Sequence, residues 1–405
     1  MTEHLYYHDS ELRQFHSRVA AITSSDTLKI ALDHSAFYPA SGGQPGDRGE
    51  LRGAGGARAA VLDVEEDADG VIWHRLEGVP AGAFVVGAEV EGEIDWGRRF
   101  DHMQQHSGQH LLSAVLLREC GAPTVSFHLG QESATIDLDR PALDAATLRR
   151  VEEAANWIIA EDRPVRIRAV EREEAEALLA SGALRKLPER GGPMRLIDID
   201  NCDLNACGGT HVRSTGQIGG LLLRGVERVR GGLRLGFVCG LRAARAAASD
   251  FAVLQTLSAQ LSAASAELPA AAARMQAEVK ELRKQVRAAQ DELADREAQS
   301  LAVQDAGGPF VVAQVLEGRG ADFARRVASR LSAQAPRCLA ILGVVEDGRG
   351  RLVMARGAEV DAHCGQRLRA ALASVGGRGG GSPTMAEGEC PPDQVRAVLS
   401  AAVQV

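Results

Sequence analysis

Two short spacings, His106-Ser-Gly-Gln-His110 and Cys207-Gly-Gly-Thr-His211, each set two good transition-metal ligands four residues apart. Together they supply three imidazoles and one thiolate, a donor set suited to tetrahedral Zn²⁺ and split between two distant stretches of chain. Around the first pair, Met103, Leu111, Ala114 and Val115 recur at three-to-four spacing, which predicts an amphipathic helix. Residues four apart share one face of a helix, so both imidazoles can reach one ion. In the second pair, Gly208 and Gly209 predict a tight loop. A lone histidine pair is more often surface decoration than a ligand set, and the glycine-held Cys207/His211 pair turns the reading towards metal binding. His102, one turn earlier, reads as a fifth ligand, as a group orienting one, or as a solvated helix histidine. Cys202 reads as a small buried residue. Ser107 follows His106, so the His-Glu-x-x-His arrangement of zinc peptidases does not apply. No Ser-His-Asp order or paired carboxylates stand out, which argues against covalent catalysis.

These ligands need elements to hold them. Residues 1–95 read as β-rich, with alternation at Thr27–Leu32, Gly70–Leu76 and Glu89–Asp95. Tyr38–Gly49 interrupts them with four glycines and two prolines in twelve residues, a loop able to bring backbone N–H groups close to a ligand. It lacks the Gly-Lys-Ser/Thr ending of a nucleotide-binding loop. Residues 96–245 mix the histidine helix with strands near Ser133–Leu138, Val165–Val170 and Met194–Ile199 and a helix over Asp144–Glu161, an α+β pattern. Residues 246–304 carry Leu254, Leu257, Leu261, Ala264 and Leu268, then Met275, Val279, Leu282, Val286, Ala289 and Leu293, at alternating spacings of three and four. This predicts a coiled coil, with Leu268-Pro269 marking the join of a helical hairpin. A self-contained hairpin and a homodimer seam both fit. Residues 305–405 read as a small α/β module with strands at Phe310–Val315 and Cys338–Val345 around a helix over Ala321–Ala335. It closes on the glycine loop Gly376–Ala386, with Arg378 its one arginine.

The totals are those of a globular protein: 405 residues, 45% apolar, net charge −8. No apolar run is long enough to span a membrane, and the first residues lack a secretory pattern, so a cytoplasmic location is expected. Seven scattered cysteines favour reduced thiols over a disulfide framework. Between Arg213 and Arg245 stand seven arginines against one acid, Glu227. That excess reads either as a phosphate-facing patch or as an ordinary surface in a chain with only four lysines.

In combination, the motifs resemble the freestanding alanyl-tRNA editing proteins (AlaX) and the editing and C-terminal regions of alanyl-tRNA synthetase. The landmarks stand in order: Phe37–Asp47, His106–His110, Cys207–His211 and Gly376–Ala386. The last is also similar to the terminal module of DHH-type phosphoesterases. The resemblance implies an N-terminal β-barrel-like domain, a zinc-containing α+β editing domain, and a tRNA-binding tail, without aminoacylation. It implies a zinc-dependent deacylase that hydrolyses mischarged tRNA(Ala), chiefly Ser-tRNA(Ala) and secondarily Gly-tRNA(Ala). A pocket shaped for a small apolar group rejects an added hydroxyl by only about 10²-fold, so a second, hydroxyl-sensing site has a purpose. His106, His110, Cys207 and His211 fall on the family's zinc positions. Ser35 stands where the family usually has threonine and inherits the serine-sensing role; Gln44 is the second substrate contact. Ser41, Gly42, Gly43 and Arg378 are expected to bind substrate. After Ala386 the chain departs from the family with Glu387-Gly-Glu389, whose charges would oppose RNA contact. The alternative is a noncatalytic zinc-containing tRNA-binding protein.

Overall fold

Six antiparallel strands close into a barrel in the order Gln14–Ser24, Leu28–Leu32, Ile72–Glu77, Arg58–Glu66, Gly49–Gly53 and Glu89–Ile94, the last returning to the first. Alternate side chains turn inward, so Phe15 and Val19, Ile30 and Leu32, and Ile72 and Leu76 meet in one core, which Val61 and Val64 join across a register shift between Val61 and Asp63. The computed structural model describes residues 1–24, 27–53, 56–78, 82–182, 184, 194–302 and 308–404. It divides into two compact units, Met1–Gln255 and Thr256–Val405.

Directly after the barrel, Asp95 caps helix α1 (Trp96–Cys120) by accepting the Arg98 N–H. Gly121, at φ 60°, ends it in the left-handed conformation. This helix is buried over most of its length and forms the spine of the first unit. It packs on helix α2 (Ala145–Ala160) and on a four-stranded sheet ordered Leu221–Val229, Gly232–Cys239, Ala134–Leu138, Thr124–Leu129. Met103, Leu111, Leu112 and Val115 enter that core with Ile136, Phe237 and Val151. A three-stranded sheet, Val165–Val170, Met194–Ile199 and Asp203–Ala206, leads into the loop bearing Cys207.

In the second unit, Pro269 sits in the first turn of a helix over Leu268–Ala302, a position that does not need its missing N–H. Met275, Val279, Leu282 and Val286 of this helix are 41–56% exposed. Farther along, Ala294, Ala298 and Leu301 are buried against Phe323, Val327 and Leu331 of the helix Ala321–Gln334. The terminal sheet runs Phe310–Val315, Cys338–Glu346, Arg349–Arg356, Met385–Cys390, Arg378–Gly381; its first pair is parallel and the rest antiparallel. Among the described residues, no helix is long and apolar enough to cross a membrane.

Candidate metal centre and adjoining pocket

Helix α1 presents His106 and His110 on one face, and the loop after Ala206 brings Cys207 and His211 against them. One donor atom from each residue lies within 4.8 Å of all the others. The Cys207 Sγ is 3.5 Å from His106 Nε2 and 3.4 Å from His211 Nε2. A tetrahedral shell built on zinc bonds of ~2.0–2.3 Å has edges of about that length, so these residues fit the ion. His102 and Cys202 stand outside the group.

Each imidazole is held by its other nitrogen. His106 Nδ1 donates to Gln44 Oε1 (2.7 Å), and the Gln44 amide in turn donates to Thr210 Oγ1 (2.8 Å). His110 Nδ1 donates to the Asp203 carboxylate (3.2 Å), and His211 Nδ1 lies 3.1 Å from Ser107 Oγ. Fixing Nδ1 leaves all three Nε2 atoms as the free donors aimed at one point, which is how ligating histidines are usually oriented. Burial alone would raise the Cys207 thiol, but the imidazoles of His106 and His211 bring it well below its ordinary range. Burial opposes a charge on His110, yet its hydrogen bonds to Asp203 and Cys207 lift it to about 9. His211 is pushed well below its usual value by burial and by His106.

Two glycines make this approach feasible. A Cβ on Gly209 would lie 2.2 Å from His106 Cε1, and one on Gly43, at φ +84°, would lie 2.5 Å from the Phe127 carbonyl oxygen. Gly43 thereby packs on the strand Thr124–Leu129, where its carbonyl accepts the Leu129 N–H at 3.0 Å. Phe127 stacks on the His106 ring, with centroids 5.3 Å apart.

Beside the cluster opens a pocket of about 730 Å³, lined among others by Tyr6, Tyr7, Tyr38, Ser41, Gly42, His106, Arg195 and Cys207. That volume suits a small molecule or the end of a larger one. Arg195 braces the loop bearing Cys207 by donating to the Cys207 and Gly209 carbonyls at 2.7 and 2.9 Å, and its guanidinium lies over the Tyr7 ring. Burial draws that guanidinium below its ordinary value.

The residues expected from the sequence part company here. Ser41 and Gly42 line the pocket. Gln44, expected to touch substrate, is buried and turned to His106 and Thr210. Ser35 is fully buried in the first unit and is not part of the pocket lining. Burial keeps His74 neutral, pulling it down to about 4, and its Nδ1 donates to the Ile30 carbonyl. Its Nε2 is therefore an acceptor, and the Ser35 hydroxyl donates to it at 2.8 Å while accepting the Phe37 N–H at 3.1 Å. One lone pair of Ser35 is left over. Arg378 belongs to the second unit and opens the edge strand of its sheet. Glu387 and Glu389, expected to repel RNA, are engaged instead: Glu387 forms a two-point pair with Arg325, and Glu389 faces Arg349 and Arg351.

Sequence reasoning missed Asp203, Ser107 and Arg195. The arginine excess also reads differently in three dimensions. Arg213 pairs with Asp9 and Glu11, Arg224 with Asp250, Arg234 with Asp137 and Arg242 with Asp101, so most of that charge is neutralised.

Three family models match: tRNA synthetases class II (A) over residues 2–98, the threonyl and alanyl tRNA synthetase second additional domain over 194–235, and the DHHA1 domain over 307–405. An alanyl-tRNA editing protein AlaX-M from Methanosarcina acetivorans is 36% identical over 233 residues, covering 56% of this chain and 94% of its own. The AlaX-M protein of Methanosarcina mazei is 36% identical, with 56% and 92% covered. An alanine–tRNA ligase from Pyrococcus abyssi is 32% identical over 96% of this chain, which spans 42% of that enzyme.

Proposed function

The chain belongs to the alanyl-tRNA editing protein family AlaX-M, and from that premise we propose that it hydrolyses the ester of mischarged tRNA(Ala), chiefly Ser-tRNA(Ala) and secondarily Gly-tRNA(Ala). The observation carrying this reading is the convergence of three imidazoles and one thiol at the edge of a pocket that His106 and Cys207 line together with Ser41 and Gly42. A Zn²⁺ ion held by His106, His110, Cys207 and His211 would supply Lewis-acid chemistry at that wall. Four protein ligands complete a tetrahedral shell, so positioning the substrate and activating water both stay within the proposal.

The chain's own residues have distinct tasks. Gln44, Asp203 and Ser107 keep each Nδ1 occupied and each Nε2 directed inward. Gln44→Ala should weaken metal affinity ~10–100-fold, the usual effect of losing a group that orients a ligand. Competition titration with a zinc indicator reads this directly, and unchanged affinity would leave Gln44 with packing alone. Ser41 and Gly42 form the floor against which the aminoacyl end lies. Ser35 is assigned the sensing of the serine hydroxyl on the family resemblance; its hydroxyl keeps one spare lone pair but is buried outside the pocket lining, so the assignment stands or falls with the variant below. The modules divide the work: residues 1–95 and 96–245 form the hydrolytic unit, 246–304 the helical spacer, and 305–405 the RNA-binding tail with Arg378. The exposed stripe of the Leu268–Ala302 helix is assigned to a second copy of the chain, and a monomeric mass in solution would remove that part.

The test is deacylation of Ser-, Gly- and Ala-tRNA(Ala) by the full chain, in wild type and Ser35→Ala. Turnover of the serine ester well above the alanine ester is expected, with the ratio reduced in the variant. RNA binding without turnover would make the protein the noncatalytic binder instead. An unchanged ratio would acquit Ser35.

A further inference from the structure

Behind the glycine loop lies a second hollow, of about 1310 Å³, larger than the ~300–1,000 Å³ of ordinary small-molecule pockets. Its walls carry Arg48, Arg98, Arg224, Arg242 and Arg245, against the carboxylates Asp101 and Glu132. Two of these arginines are spoken for. Arg242 holds Asp101 through two nitrogens and also donates to the Gly130 carbonyl, and Arg224 pairs with Asp250. Arg48, Arg98 and Arg245 have no carboxylate partner among the described residues; Arg48 and Arg98 use only Nε, on the carbonyls of Leu62 and Gly46. Three unpaired guanidiniums therefore face a cavity with one unpaired acid, Glu132.

A second observation concerns a buried imidazole on the same wall. His102 lines the hollow, is 3% exposed, and its Nδ1 is buried without any hydrogen bond. A buried ring nitrogen left unsatisfied costs free energy, and such groups ordinarily have a partner. Burial, and to a lesser degree Arg48, draw the Arg98 guanidinium below its ordinary value, while Asp47, Asp95 and Asp101 act the other way.

Position identifies the occupant. Ser41 and Gly42 line the pocket beside the metal cluster and Pro45 lines the hollow, so the same loop walls both. On α1, His102 precedes His106 by one helical turn, about 6 Å along the axis. On an RNA strand esterified at its end, the ester and the phosphates before it lie a few bonds apart. Resting on the deacylase reading above, we infer that the arginine-lined hollow binds the phosphodiesters of the single strand leading to the esterified 3′ end, with Arg48, Arg98 and Arg245 as its contacts. Arginine suits this task because its fork matches phosphate oxygens.

The experiment uses the full-length, metal-loaded protein and the double variant Arg48→Gln/Arg245→Gln, both exposed side chains. A short uncharged RNA strand ending in CCA is titrated at several salt concentrations. Losing two phosphate contacts should weaken binding and lower the slope of log affinity against log salt by about 1.4 for a single strand. Equal affinity and equal slope in both proteins would overturn the assignment. A parallel arm titrates inorganic phosphate; saturable phosphate binding lost in the variant, with RNA affinity intact, would make the hollow a free-phosphate site and also overturn it. Failure of the deacylase reading shows separately, as wild-type protein without turnover that keeps the salt-sensitive RNA contact.

Discussion

Cys207→Ala is expected to remove metal and hydrolysis together, with turnover of Ser-tRNA(Ala) falling by more than ~10²-fold, the upper range for losing even a group that orients a ligand. The thiol is the one sulfur donor in the cluster and lies 3.4–3.5 Å from two of the imidazole Nε2 atoms. Its anionic form is favoured by His106 and His211 despite burial, which is the state a metal requires. Without it three imidazoles remain, and the soft, charged corner of the shell is gone. Because every ligand must be deprotonated to bind, metal retention should also fail progressively as pH is lowered. Elemental analysis alongside the deacylation assay checks this. A variant that keeps one zinc per chain would remove Cys207 from the shell, and one that loses zinc while retaining turnover would separate the ion from the chemistry.

The His106, His110, Cys207 and His211 cluster was legible because each pair is local: four residues fix a spacing, and helix or loop geometry does the rest. Their supports were not. Gln44 and His106 are 62 positions apart, Asp203 and His110 93, and Ser107 and His211 104, so only the folded chain brings them into hydrogen-bond range. The same distance effect misled the charge reading. The excess between Arg213 and Arg245 is real in the sequence, but the acids that neutralise it come from Asp9, Glu11, Asp101, Asp137 and Asp250. Three barrel strands showed clear alternation, and three did not stand out. Gly49–Gly53 has a single buried apolar residue, Leu51, between glycines, and Gln14–Ser24 turns the polar Ser17 inward beside Phe15 and Val19. Period-two patterning weakens when an inward position is polar and satisfied by a partner, here Asp33 and the His34 carbonyl.

Arg99→Met should cost the first unit about 3–5 kcal/mol, a large share of the ~5–15 kcal/mol by which folded domains are stable. Both Arg99 and Asp47 are 0% exposed. Arg99 comes from the first turn of α1, and Asp47 lies in the glycine loop, so their ion pair ties the helix carrying His106 and His110 to the loop carrying Ser41 and Gly42. The guanidinium also donates to the Ser10 and Ala36 carbonyls at 2.8 and 2.6 Å, and Asp47 accepts the Tyr38 N–H at 2.7 Å. Removing the arginine strands a buried carboxylate and two carbonyls, whereas removing both charges does not leave an unpaired ion. Arg99→Met/Asp47→Leu should therefore recover part of the loss, although the carbonyls stay unsatisfied. Urea unfolding of the three proteins measures the pattern. A single variant within 1 kcal/mol of wild type would show that the pair is not structural. A double variant as stable as wild type but poor in deacylation would mean that the two charges serve alignment of loop and helix more than stability.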